Sequence, residues 1–105
     1  MASRHRRVVW SWSAANALDE AIAFIASDSP VNAEKVLEQV LSAAASLATF
    51  SERGIVVPEV EDPTIRQLLT DPYRLIYQVE KGRVLVLALL HQRRDVALWS
   101  RQKRE

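Results

Sequence analysis

The stretch "YRLIYQVEKGRVLVLALLHQRRD", residues 73–95, decides the fold. Tyr73, Leu75, Tyr77 and Val79 alternate with Arg74, Ile76, Gln78 and Glu80, the period of a strand with one face turned to a core. Lys81-Gly82 interrupts the alternation as a two-residue hairpin turn, in which glycine is expected to supply a positive φ. That register sets Glu80 opposite Arg83 and Tyr77 opposite Val86, a charge pair and an aromatic–aliphatic pair. Val84 to Leu90 is apolar at every position, so it is predicted to be a central strand covered on both faces. His91, Gln92, Arg93, Arg94 and Asp95 then emerge at its carboxyl end.

Working back from the hairpin, Asp71-Pro72 reads as a turn and Thr64 to Leu69 as a strand. Ile55 to Glu61 is acidic and contains proline, which fits a loop or an edge strand. Upstream the period changes to that of helices. In "DSPVNAEKV", Ser29 is a cap and Pro30 a first helical residue whose missing N–H costs nothing. Ala33, Val36, Leu37, Val40, Leu41, Ala44 and Leu47 form one stripe, predicting a helix from about Pro30 to Phe50, closed by Arg53-Gly54. Before it, Leu18, Ala21, Ile22 and Ile25 recur at helical spacing behind Ser13 as cap, with an end near Asp28. Helices so closely joined fold back as an antiparallel hairpin. Arg6 to Ser11 is a short strand. The expected fold class is α+β, in the order β-α-α-β-β-β: an N-terminal strand, then a helical hairpin on a small, mainly antiparallel sheet.

The 105 residues are expected to form one domain, 1–105, with a tail at 96–105. About two thirds of the unfolded surface can be buried at this size. Cysteine is absent, which excludes disulfides, thiolate metal sites and cysteine nucleophiles. Only Val8-Val9-Trp10 follows the basic start, too short for a signal peptide, and Val84 to Leu90 is far short of a membrane span. With only Gly54 and Gly82 there is no phosphate-binding glycine loop, and two histidines without cysteine argue against zinc. No cofactor, metal or membrane is expected.

The net charge of +1 hides a polarity along the chain. Residues 11–63 hold nine acids against Lys35 and Arg53, whereas from Thr64 onward nine Arg/Lys face four acids. One basic face suggests an anionic or acidic partner. Arg66 and Arg74 lie inside strands, where each needs a carboxylate, a phosphate or water. The structural alternative is an ion pair with Glu59 or Glu61. His91 reads either as a strand-end residue bonded to backbone or Asp95, or as a proton-transfer group. Trp10 and Trp12 fit the core or a partner groove. Tyr73 and Tyr77 fit packing positions. Trp99 is expected to be exposed and to cover a partner site.

"FIASDSPVNAEKV", "RGIVVPEVEDPTIRQL" and the hairpin above, in that order and spacing, resemble the ParE/RelE superfamily of bacterial toxins, most closely its ParE branch. The resemblance runs from about Val8 to Asp95. It implies the toxin of a two-gene toxin–antitoxin module, cytoplasmic and bacterial. It also implies a cognate DNA-binding antitoxin, of the ribbon-helix-helix ParD type or another class, whose flexible carboxyl-terminal segment wraps the toxin. RelE-type members cleave messenger RNA in the ribosome, and Arg66, Arg74 and His91 match positions where nucleases of this superfamily put functional residues. This chain departs from that pattern. Glu59, Glu61 and Asp62 precede Arg66 without a lysine, and Gln92 stands after His91 where the nuclease branch often has tyrosine. An acidic rim repels RNA phosphates. ParE-type members instead poison DNA gyrase, which requires no chemistry by the toxin and involves DNA only through gyrase or antitoxin. On that reading Arg66, Arg74, Arg93, Arg94, Trp99 and Arg101 are partner-binding candidates. A homologue that binds antitoxin without toxicity is the third alternative.

Overall fold

The computed structural model describes residues 5–92 and Trp99. Its elements are β1 (Arg7–Trp10), α1 (Trp12–Ala26), α2 (Pro30–Ser46), β2 (Ile55–Val56), β3 (Ile65–Leu69), β4 (Tyr73–Val79) and β5 (Arg83–His91). The predicted order holds, with Ile55–Val56 added as a two-residue edge strand. The five strands form one sheet in the order β1-β5-β4-β3-β2. The β2–β3, β3–β4 and β4–β5 pairs are antiparallel, and β1 runs parallel to β5.

Both helices start on serine, although the first does so two residues before the expected Ser13. Ser11 is extended, and its side chain accepts from the Ala14 N–H at 3.1 Å. Its own hydroxyl donates to Leu87 O at 3.2 Å and its N–H to Val86 O at 2.9 Å. These tertiary bonds favour Ser11 over Ser13. Ser29 caps α2 through the Asn32 N–H at 3.1 Å, with Pro30 first in the helix. Residues 27–29 join the two helices, so α1 ends slightly before the expected Asp28. Likewise α2 ends at Ser46, short of Phe50. Beyond it the turn tightens through Leu47 N–H to Ala44 O at 3.0 Å, while Arg6 N–H takes Ala48 O at 2.8 Å and Ser51 Oγ takes Leu47 O at 2.8 Å. Arg6, just before β1, and Ser51 in the following loop thereby claim carbonyls that a longer helix would use.

Ala33, Val36, Val40, Ala44 and Leu47 bury the predicted stripe against the sheet, with Leu37 at its margin and Leu41 46% exposed. From α1, Ala14 and Leu18 are buried, and Ala17, Ile22 and Ile25 pack around them. The sheet supplies Leu75, Tyr77, Val84, Val86 and Leu89 to this core. A second cluster lies on the other face, where Val57 and Val60 of the loop after β2 cover Ile76, Ala88 and Leu90.

Strand β5 serves both cores because of a bulge. Tyr77 faces Val86, as the hairpin register predicts, but Ile76 faces Ala88, so Leu87 is an extra residue. It reverses the inward parity: Val84 and Val86 point to the helices, and after Leu87 so does Leu89. Glu80 and Arg83 pair as expected.

The glycines differ from expectation. Neither has a positive φ. The turn at Lys81-Gly82 closes through Glu80 N–H to Arg83 O at 2.9 Å without a left-handed residue, and a Cβ on Gly82 would meet nothing within 4 Å. Gly54 is required by space: a Cβ there would lie 2.5 Å from Gln67 O and 2.7 Å from the Tyr77 hydroxyl.

Two contrasts test this arrangement by urea denaturation. Gly54→Ala should destabilise by about 1–3 kcal/mol through overpacking, whereas Gly82→Ala should be neutral or stabilise by up to about 1 kcal/mol. Ser11→Ala should cost about 1–2 kcal/mol through the lost cap and the orphaned Leu87 carbonyl, while Ser13→Ala should stay within about 0.5 kcal/mol.

Candidate functional site

The strand arginines are held by neutral oxygens. Arg66 Nη1 donates to Gly54 O at 2.6 Å and to Glu52 O at 3.2 Å. Arg74 donates through Nε and Nη2 to Gln92 O at 3.2 and 2.9 Å, and through Nη1 to Gln67 Oε1 at 3.2 Å. Among the described residues neither forms the ion pair with Glu59 or Glu61 offered as the structural alternative. The strand-directed fork finds carbonyls first, because the chain after α2 and the end of β5 pass directly beside these strands. Both guanidiniums are thereby fixed, with no carboxylate bonded to them among the described residues.

Register separates them. Arg66 faces Tyr77 and shares the helix-side face, whereas Arg74, between Leu69 and Leu90, lies on the opposite face. His91 is exposed at the end of β5 opposite Tyr73, and the two rings meet edge to face with centroids 5.7 Å apart. Arg66 and Arg74 are thus engaged on opposite faces of the sheet, while His91 stands at the end of β5 beside the Gln92 carbonyl that holds Arg74. Gln92 ties down the turn before β4: its N–H takes Pro72 O at 2.8 Å and its side chain Asp71 Oδ1 at 3.0 Å.

Arg66 belongs to a buried node. Tyr77 is 0% exposed, and its hydroxyl accepts from the Gly54 N–H at 2.9 Å. Burial pushes the Tyr77 phenol up from 10.0; the Gly54 N–H and the charges of Arg66 and Arg53 offset part of that rise.

Two cavities near this node share Arg6 and Glu52 in their walls. One of about 440 Å³ is lined by Arg6, Thr49, Phe50, Ser51, Glu52 and Arg53. The other, about 360 Å³, is bounded by Arg6, Glu52, Thr64, Arg66, Glu80 and Lys81. Arg6 and Glu52, which sequence reasoning did not single out, line both. A third cavity of about 360 Å³ lies between Arg53, Ile55, Gln67, Leu69 and Arg74 at the β2 edge, where Ile55 and Leu69 are 64% and 62% exposed.

The tryptophans divide. Trp10 is half-buried on the main core, and Trp12 is 81% exposed at the start of α1. Trp99 is not the exposed residue expected. It is half-buried against the Val57, Val60, Ile76, Ala88 and Leu90 cluster, an apolar face that needs a lid. Arg93, Arg94, Arg101, Asp95 and the rest of the tail at 96–105 lie outside the described residues. Among the described residues no three His, Asp or Glu side chains gather as metal ligands would, and no helix is long and apolar enough to cross a membrane.

A helical hairpin on one face of a five-stranded sheet, with arginines fixed on backbone oxygens, defines a small α+β domain. A profile of the family described as the ParE toxin of type II toxin-antitoxin system, parDE, matches residues 8–96. Toxin RelE2 of Caulobacter vibrioides is 33% identical over 89 residues, spanning 84% of this chain and 97% of that protein. The solved structure of the chromosomal ParDE TA system from P. aeruginosa shares the fold, with a TM-score of 0.69 at 21% identity, covering 85% of this chain and 98% of that one. The chain belongs to the ParE toxin family of type II toxin–antitoxin systems.

The buried phenol makes stability depend on alkaline pH. With its folded pKa above the unfolded value of 10.0, Tyr77 contributes stability in full below that value and loses it as pH rises toward the folded pKa. Thermal melts of the wild type should therefore fall above pH 10.0. Tyr77→Phe should flatten that limb, and it should cost about 1 kcal/mol at neutral pH because Gly54 N–H loses its partner.

Proposed function

We propose that this toxin acts by binding, inhibiting DNA gyrase in the bacterial cytoplasm, and that a cognate antitoxin of the ribbon-helix-helix ParD type neutralises it. The observation that carries this reading is the anchoring of Arg66 and Arg74 on opposite faces of the sheet. A ribonuclease needs a base, a phosphate clamp and an acid around one phosphodiester. Here the two arginines are turned to opposite faces of the sheet, and each is bonded to backbone. Cations fixed on backbone oxygens beside exposed apolar residues such as Ile55 and Leu69 suit recognition of a macromolecular surface. The family match supports a toxin with an antitoxin partner, and gyrase as target extends that reading through the ParE branch.

A second reading, a ribosome-dependent messenger-RNA endoribonuclease, is favoured by the likeness to a relative named RelE2. A supercoiling assay with purified toxin and gyrase separates the two. Inhibition that added antitoxin relieves is the expected result. Full supercoiling at excess toxin, together with A-site cuts in primer extension that vanish in an Arg66→Ala/Arg74→Ala variant, would establish the nuclease instead.

A further inference from the structure

We infer that the β2 edge of the sheet is a self-pairing surface, to which a second copy of this chain adds its own β2, antiparallel, about a two-fold axis at Val56. Such pairing is independent of which macromolecule the toxin inhibits.

The sheet order leaves β2 at an edge, paired on one side with β3. The ladder fixes which backbone groups face out. Val57 N–H donates to Ile65 O at 3.3 Å, and Ile55 lies opposite Gln67. Direction alternates along a strand, so Ile55 and Val57 turn their groups to β3, and Val56 between them turns its N–H and C=O outward. No described residue bonds them. The neighbouring outward positions are closed. Gly54 N–H goes to the Tyr77 hydroxyl at 2.9 Å and its carbonyl accepts from Arg66 at 2.6 Å, while Pro58 has no N–H to offer. The opening is thus one residue long. Exposed hydrocarbon surrounds it, with Val56 itself 41% exposed and Ile55 more so.

A long foreign strand needs a row of outward groups, which this edge lacks. A second copy needs only the one residue. Two Val56 residues facing each other antiparallel exchange both backbone bonds and close the opening in each chain. Charge supports the same axis. Arg53 and Glu59 stand three residues to either side of Val56 and both are exposed. The two-fold therefore brings each Arg53 toward Glu59 of the other copy, twice by symmetry. Arg53 is bonded to the neutral Ser46 Oγ at 2.9 Å, and Glu59 forms no ion pair among the described residues. The chain turns after Val57, through Val60 N–H to Val57 O at 3.1 Å, so Glu59 reaches Arg53 from a turn beside the ladder. A slip of one residue either way loses the Val56 exchange and brings Glu52 toward Glu59 or Glu61 of the other copy, a like-charge contact. The cavity between Arg53, Ile55, Leu69 and Arg74 opens beside this edge, so the incoming acid meets two guanidiniums and exposed hydrocarbon. Pairing consumes the edge on both copies, which stops the assembly at a dimer.

The test is sedimentation equilibrium of the full-length toxin over a concentration series. The wild type should pass from monomer to dimer as concentration rises, with weaker pairing at high salt. Exchange of the Val56 amide should slow as the dimer forms. Arg53→Glu and Glu59→Arg should each raise the dimer dissociation constant about tenfold. Mixed in equal amounts, these two variants should recover pairing, because each supplies the charge that the other has reversed. Val56→Lys sets a charge on the edge and should abolish pairing. Glu38→Arg, the same charge change on the exposed side of α2, should leave it intact. All variants are checked as folded by circular dichroism. A wild type that stays monomeric up to about 1 mM would overturn the proposal and leave the edge to a strand from another protein. A mixture that fails to recover, or a dimer untouched by Val56→Lys, would overturn it by moving self-association to another surface. Species larger than a dimer would reject the closed two-fold.

Discussion

The hydroxyl of Ser11 does two jobs on which the architecture depends. It accepts the Ala14 N–H that begins α1, and it donates to the carbonyl of Leu87, the extra residue in β5. A bulged residue has no partner in the ladder and a buried carbonyl left open is costly, so the bulge needs a donor from outside its own hairpin. Ser11 supplies it from the end of β1, the strand that lies against β5. The helix start, the closing parallel strand pair and the irregularity in the longest strand are thus fixed by one side chain. Through the bulge, β5 can line the helix-covered core with Val84, Val86 and Leu89 while giving Ala88 and Leu90 to the opposite face.

That second face is reached through Gly54. The chain leaves α2 on the helix side, passes over the Tyr77 hydroxyl at a distance that admits no Cβ, pairs briefly as β2, and then lays Val57 and Val60 across the other side. Arg66 holds the same crossing through Gly54 O. The charged groove beside it is therefore anchored to a rigid point of the fold, where guanidiniums keep one orientation.

The sequence made local decisions legible and distant ones not. The hairpin at Lys81-Gly82 was readable because alternation, turn length and cross-strand chemistry all act within a few residues. So was the start of α2 at Ser29-Pro30. The start of α1 was not, since Ser11 and Ser13 satisfy the same local rule and the choice lies in bonds to Val86 and Leu87. The end of α2 was overestimated for a similar reason: the carbonyls just past it, of Leu47 and Ala48, go to Ser51 and Arg6. Of the candidate site, Arg66 and Arg74 stood out as charges inside strands, but their carbonyl partners carried no pattern that could be read. Arg6 and Glu52 gave no local signal at all; only the folded sheet brings the two together.

The pairing of β1 with β5 joins the earliest strand to the latest. A nascent chain leaving the ribosome can form its helical hairpin early, yet β1 has no neighbour until β5 has been made, and non-local contacts of this kind form late and slowly. Throughout synthesis the apolar underside of α1 and α2 therefore lacks its complete platform. The interval before closure is a window in which a chaperone or a protease can meet a surface that the finished fold conceals.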